Sequence, residues 1–262
     1  MAIVCCAASI ARSEEPQQVP EGMAPKALRW LAAQQNDDGS WSVGDGRPAA
    51  SRTETTGLVL LSFLSFGQTH SEGAYKKPVH AGLSFLIKQM KTEENRGDLR
   101  GARGDMTSHA IATYALCEAY SMTHDKELLA PAQMGINFIA AQQDEKSGGW
   151  KADPMARSSV MTTTWQLHAL KSAHMAYLQV KKDTVLGAMR FLDSVQLDEG
   201  AAYRNAAGKR HHRATAGGLL CRVMLGWKTT NPNIVKGLTA VGKGGPRKHD
   251  VVANYFVHEL HR

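Results

Sequence analysis

An all-α fold of stacked helical hairpins, an α/α toroid with a closed or incomplete ring, is predicted by three features of this 262-residue chain. The stretch ALRWLAAQQNDDGSW, Ala27 to Trp41, returns as GINFIAAQQDEKSGGW at Gly135 to Trp150. Its aromatic anchors Trp30, Phe85, Phe138 and Phe191 lie 55, 53 and 53 residues apart. Between these echoes sits a second helical run that is apolar or small on most faces. Self-similarity at such a period marks a repeat architecture, and here one unit is two helices long.

In chain order, the first helices of the units carry Lys26, Arg29, Lys76, Lys77 and Arg190, as expected of helices with a solvated face. The second helices are Thr55 to Gly67, Ser108 to Tyr120, Thr163 to Met175 and Ala214 to Trp227. Their apolar character predicts burial on nearly all sides, so the first set is expected to form an outer ring and the second an inner ring. A degraded fifth unit runs through Asn233 to Val241 and Asp250 to His261, which brings the expectation to about ten helices. Residues 1–25 read as a leader or a flexible N-terminal segment, and 26–262 as the repeat domain. No single hairpin can bury its own apolar face, so neighbours must stack.

Gln35, Gly39 and Trp41, and again Gln143, Gly148 and Trp150, are expected to fasten the hairpins together. A side-chain amide both donates and accepts, so it can tie a helix end to the following turn. Glycine allows the chain to reverse, and the tryptophan closes the corner.

Composition narrows the function. No run approaches the roughly 18 apolar residues that a membrane span needs. Cys5, Cys6, Cys117 and Cys221 lack paired CxxC spacing, which argues against a disulfide framework or a cysteine-built zinc site. The net charge of +7 gathers partly in Arg204 to Arg213 and Lys243 to His249, but no aromatic residues interleave these clusters to stack bases, so nucleic acid is not an expected partner. Met1 to Ala11 is short and apolar and ends in a small-x-small pattern, yet no Lys or Arg precedes it. Cytoplasmic and exported locations both stay open.

The Gln…Gly-x-Trp pattern, with the runs HAIATYALCEAY and WQLHALKSAHMA, resembles the squalene cyclase and protein prenyltransferase superfamily over Lys26 to about His258. The resemblance implies a toroid of terpenoid cyclase type. Its chemistry does not carry over. The cyclase Asp-x-Asp-Asp acid has as counterpart Arg52-Thr53-Glu54-Thr55, where Glu54 alone is acidic and reads first as an ionised helix-start residue. The prenyltransferase zinc ligands align on Ser159, Met161 and Ala253. No metal and no cofactor are expected, and His211 with His212 is a weak ligand pattern because adjacent side chains diverge.

The first functional expectation is a binding or scaffold module. Its central apolar cavity, walled by Trp165, Gln166 and Tyr255, would take an isoprenoid-like or other apolar molecule, and its ring edge would meet a protein partner or a second copy. The alternative is an enzyme, either a divergent cyclase or one acting on carbohydrate, with Glu54, His109 and Asp250 as catalytic candidates. Glu118, Lys171 and Arg222 are expected to pair between repeats, since a lone buried charge is costly.

Overall fold

The computed structural model describes residues 23–42, 51–243 and 251–261. Residues 1–22, with Cys5 and Cys6, residues 43–50, most of the second basic cluster and Asp250 lie outside the described residues. Ten α-helices are described: α1 (Met23–Ala33), α2 (Arg52–Ser65), α3 (Lys76–Gln89), α4 (Met106–Thr123), α5 (Lys126–Ala141), α6 (Val160–Met175), α7 (Lys182–Val195), α8 (His212–Met224), α9 (Pro232–Gly242) and α10 (Val251–His261). Two short antiparallel hairpins interrupt them, β1 (Lys91–Glu93) with β2 (Arg96–Asp98), and β3 (Gln196–Leu197) with β4 (Ala202–Tyr203). The class is therefore all-α, a run of helical hairpins consistent with an α/α toroid arrangement.

The chain divides into two compact units, Met1–Ile139 with Ala169–Val180, and Ala140–His168 with Lys181–Arg262. In the first, α2 packs on α1, α3 and α4. The second helix of a hairpin is the deeper one: Met106 and every residue from Ser108 to Ala119 of α4 are buried. In the second unit α8 packs on β4, α9 and α10, and Ala214 to Arg222 are buried without a break. Such a helix has no polar face because neighbours surround it.

The turns before α2 and α6 are built to one plan. Gln35 Nε2 donates to the Gly39 and Pro78 carbonyls, both at 2.9 Å. Gln143 Nε2 repeats this, donating to the Gly148 carbonyl at 2.7 Å and the Thr184 carbonyl at 2.8 Å. One amide thereby ties its own turn to the first turn of the next hairpin. Gly39 (φ 86°) and Gly148 (φ 78°) adopt left-handed backbone, and a Cβ there would overlap the carbonyl oxygens of Ala81 and Gly187. Only glycine meets both demands. Trp41 and Trp150 are fully buried. Trp41 closes its corner by donating its indole N–H to the Leu31 carbonyl at 2.7 Å. Trp30 departs from its expected role as an anchor: it is 62% exposed, whereas Phe85 and Phe191 are buried.

The expected network of Glu118, Lys171 and Arg222 is replaced, at Arg222, by one within a single repeat. The buried guanidinium donates to Tyr203 Oη (2.9 Å), Asp193 Oδ1 (2.6 Å) and Gln196 Oε1 (3.1 Å), and lies 5.0 Å from the Trp227 ring centroid. A planar fork with several donors is satisfied by such a spread of acceptors close at hand.

Candidate functional site

The polar residues at the start of α2 and α4 form the candidate site in the first unit. Asp105 caps α4: its Oδ1 accepts from the N–H groups of Thr107 (2.7 Å) and Ser108 (3.1 Å), while Ser108 Oγ accepts from the Asp105 N–H at 3.4 Å. This capping box fixes the Ser108 hydroxyl, which donates its proton to Glu54 Oε2 at 2.7 Å. The chain just before α4 is drawn onto α2, where Ser51 Oγ and Thr53 Oγ1 donate to the Arg100 carbonyl at 2.8 Å and 3.2 Å.

Glu54 is half-buried, and its carboxyl is held above its ordinary value. Burial is the main cause, the Ser108 hydrogen bond opposes it, and the charge of Asp105 adds to it. Glu54 stands in the first turn of α2 as expected, but Arg52 beside it in sequence is not its partner. Arg52 turns to Asp38 (2.6 Å) and to Ser40 Oγ, and it lies 5.3 Å from the Phe85 ring centroid. Arg100 is likewise closed on Asp98, with its Nη2 2.8 Å from Oδ2. Both aspartates titrate below their ordinary range: burial pushes them up, but hydrogen bonds from Ser40 and Arg52 to Asp38, and from Arg100 to Asp98, prevail.

His109 follows Ser108 but faces elsewhere, since successive helical residues diverge by about 100°. It is fully buried, and the Leu99 N–H donates to its Nδ1 at 3.0 Å. The proton therefore sits on Nε2, which donates to the Gly135 carbonyl at 3.1 Å. Burial pushes this imidazole down to about 4, so it stays neutral across the physiological range. In the other repeats the same position is a threonine. The N–H of Trp41 donates to Thr56 Oγ1 (3.0 Å), that of Trp150 to Thr163 Oγ1 (3.3 Å) and that of Tyr203 to Thr215 Oγ1 (3.1 Å).

The second unit gathers aromatic rings. Trp165 lies parallel to Tyr255, with centroids 5.8 Å apart and 8° between planes, and Phe256 tilts against it at 5.5 Å. His168 joins them at 5.4 Å from Trp165, with its Nδ1 donating to the Thr164 carbonyl at 2.8 Å. Burial pushes it down to about 4 as well. Trp165 is 6% exposed, and Tyr255 is half-buried. Gln166 is buried and points away from Trp165 by the same helical divergence. His211 and His212 stack on each other at 4.7 Å. Among the described residues no group of three or more His, Cys, Asp or Glu is arranged to hold a metal ion, and Cys117 and Cys221 are buried free thiols.

Of the sequence candidates, the structure thus joins Trp165 to Tyr255 and sets Glu54 on Ser108 rather than on His109. Ser108 and Asp105 were missed. Their signal was present as a polar pair three residues apart just before an apolar helix, the spacing of a capping box.

Fold and site together define an all-α helical-repeat protein with a half-buried carboxyl where the starts of α2 and α4 meet. Two solved structures share this fold. Cellobiose 2-epimerase from Bacillus thermoamylovorans B4167 superposes with a TM-score of 0.55 at 15% identity, covering 90% of this chain and 69% of that one. A polysaccharide lyase superposes with a TM-score of 0.54 at 13% identity, covering 86% and 73%. No family model and no curated protein matches the chain. These likenesses overturn the squalene cyclase and prenyltransferase assignment. The physical reason lies in the Gln…Gly-x-Trp motif, which ties a helical turn to its neighbour and carries no chemistry of its own. Among the described residues no helix is long and apolar enough to cross a membrane.

Proposed function

We propose that this chain is a carbohydrate-active enzyme in which the Glu54 carboxyl gives or takes a proton at a bound sugar. The observation that carries the reading is Glu54 itself: half-buried, raised above its ordinary value, and steadied through Oε2 alone by Ser108. An acid whose value is raised is suited to general acid or base work, and among the described residues none donates a hydrogen bond to Oε1. The shared fold of the epimerase and the lyase, both named for saccharides, supports carbohydrate as the substrate by analogy of fold. His109 has no part in the step, because both of its ring nitrogens are engaged within the fold.

The test is to incubate the protein with neutral and acidic mono-, di- and polysaccharides in deuterium oxide. Nuclear magnetic resonance reads solvent deuterium entering a sugar C–H bond, and chromatography reads new chain ends. Turnover of at least one saccharide is expected, with Glu54→Gln slowing it by about 10²- to 10⁴-fold. Binding without turnover would make the chain a sugar-binding module, and full turnover by Glu54→Gln would remove Glu54 from the step.

A further inference from the structure

We infer that the turns closing α2, α4 and α6 carry a second saccharide-binding surface, a row of exposed rings from Phe66, His124 and Tyr177 on which a sugar chain stacks. All three residues belong to the first compact unit. The choice of ligand rests on the carbohydrate reading, but the surface is separate from Glu54, which opens a second helix where these residues close three.

Tyr177 is the sharpest member of the row. Three second helices end in the same Schellman turn. After α2 the Gly67 N–H donates to the Leu64 carbonyl at 2.9 Å and the Gln68 N–H to the Phe63 carbonyl at 3.0 Å. After α6 the Tyr177 N–H donates to the His174 carbonyl at 3.1 Å and the Leu178 N–H to the Ala173 carbonyl at 2.9 Å. Gly226 and Trp227 repeat the pattern after α8, on Val223 and Arg222. The turn demands left-handed backbone just beyond the helix, and Gly67 (φ 70°) and Gly226 (φ 104°) supply it. Tyr177 stands at φ 60° in the same place, where a Cβ is strained. Burial does not offset that strain, since Tyr177 is 93% exposed. A ring kept on strained backbone and held out from the chain is suited to a contact outside it.

The preceding repeats place rings there too. Phe66, just before Gly67, is 47% exposed. His124 takes the left-handed position after α4 (φ 53°) and is exposed. Side-chain bonds brace these turns in series. His70 Nε2 lies 2.8 Å from Asp125 Oδ2, which joins the turn after α2 to the turn after α4. Gln133 of α5 joins the turn after α6 by donating to the Gln179 carbonyl at 3.0 Å and accepting from its N–H at 2.8 Å. Packed helices stand about 8 to 10 Å apart, so rings on successive turns suit a chain of sugars better than a single one. Gln68, Asp125 and Gln179 lie beside the rings. The C–H face of a pyranose stacks on an aromatic ring while its rim hydroxyls bond to such polar groups, whereas a protein interface centres on an apolar core.

The experiment is affinity electrophoresis of the intact chain in gels containing hydroxyethylcellulose, galactomannan, xylan or polygalacturonate, with melting curves and sedimentation alongside. At least one polysaccharide is expected to retard the chain. Tyr177→Gly is expected to weaken that binding by about threefold to tenfold and to raise the melting midpoint by about 1 to 3 °C, because glycine relieves the turn. Tyr177→Phe keeps the ring and should bind within about twofold, while Phe66→Ala and His124→Ala should each weaken binding by about twofold to fivefold. Equal retardation of the wild-type chain and Tyr177→Gly, a melting midpoint that falls in Tyr177→Gly, or self-association that this variant abolishes overturns the inference and leaves the Glu54 reading standing. Absence of retardation by every polysaccharide also overturns it, and the Glu54 reading falls with it only if no saccharide is turned over.

Discussion

At Trp41, Trp150 and Tyr203 the N–H that opens the second helix is received by a threonine hydroxyl, whereas at Leu99 it is received by the ring of His109. The task is the same in each repeat, because a buried N–H must find an acceptor. The means differ in reach. A threonine at this position ends its contact at the turn, while the imidazole spans from the Leu99 N–H on one side to the Gly135 carbonyl of α5 on the other. The ring of His109 also lies 4.7 Å from that of Phe138. Position in a repeat therefore fixes what a residue must do, and more than one side chain can do it.

The largest expected effect comes from breaking that bridge. His109→Ala leaves the Leu99 N–H and the Gly135 carbonyl without partners beside a new cavity, and should cost about 3 to 5 kcal/mol in denaturant unfolding. His109→Thr restores the acceptor used in the other repeats and should recover about 1 kcal/mol of that loss. Equal losses in the two variants would show that the ring's volume matters and its hydrogen bond does not.

The next effect separates the two kinds of turn by pH. His109 and His168 each titrate near 4 when folded and near 6.5 when unfolded, so unfolding takes up protons between those limits. Their contribution to stability is complete above about 6.5 and is lost as pH falls toward 4, with a slope of up to ~2.7 kcal/mol per pH unit for two sites. Glu54 acts in the opposite sense. Its raised folded value adds stability below its unfolded value, and that gain is lost as pH rises through the folded one, so it offsets part of the histidine slope. Chemical denaturation across this window should show the decline, and His109→Thr should remove about half of the slope.

The smallest effects mark the difference between a fastening and a site. Gln143→Ala breaks two hydrogen bonds of a turn and should cost about 1 to 2 kcal/mol. Glu54→Gln removes a carboxylate that burial penalises. After discounting for its partial exposure, it should leave stability unchanged or raise it by up to about 1 kcal/mol near neutrality. A large loss from Glu54→Gln would recast Glu54 as a fastening residue.

Much of the fold was legible because the repeat is written in local terms. Gln35 with Gly39 and Gln143 with Gly148 bond within their own turns, so their spacing survives in the sequence, while their second bonds, to the Pro78 and Thr184 carbonyls, do not show there. Glu54 was legible as a position and not as a chemical state. Its carboxyl depends on Ser108, which is 54 residues away, and on the capping box that aims the hydroxyl. His109 was legible as either a satisfied structural histidine or a group that handles a proton, and only the Leu99 N–H and the Gly135 carbonyl on either side of it show the first.

The sequence by itself determined the all-α class, the hairpin period and the residues that pin each turn, since these follow from periodicity, glycine conformations and short-range hydrogen bonds. Tertiary structure alone decided which carboxyl is raised and which histidine is silent. Those outcomes depend on burial and on distances between residues far apart in the chain, and electrostatic interactions change severalfold with both.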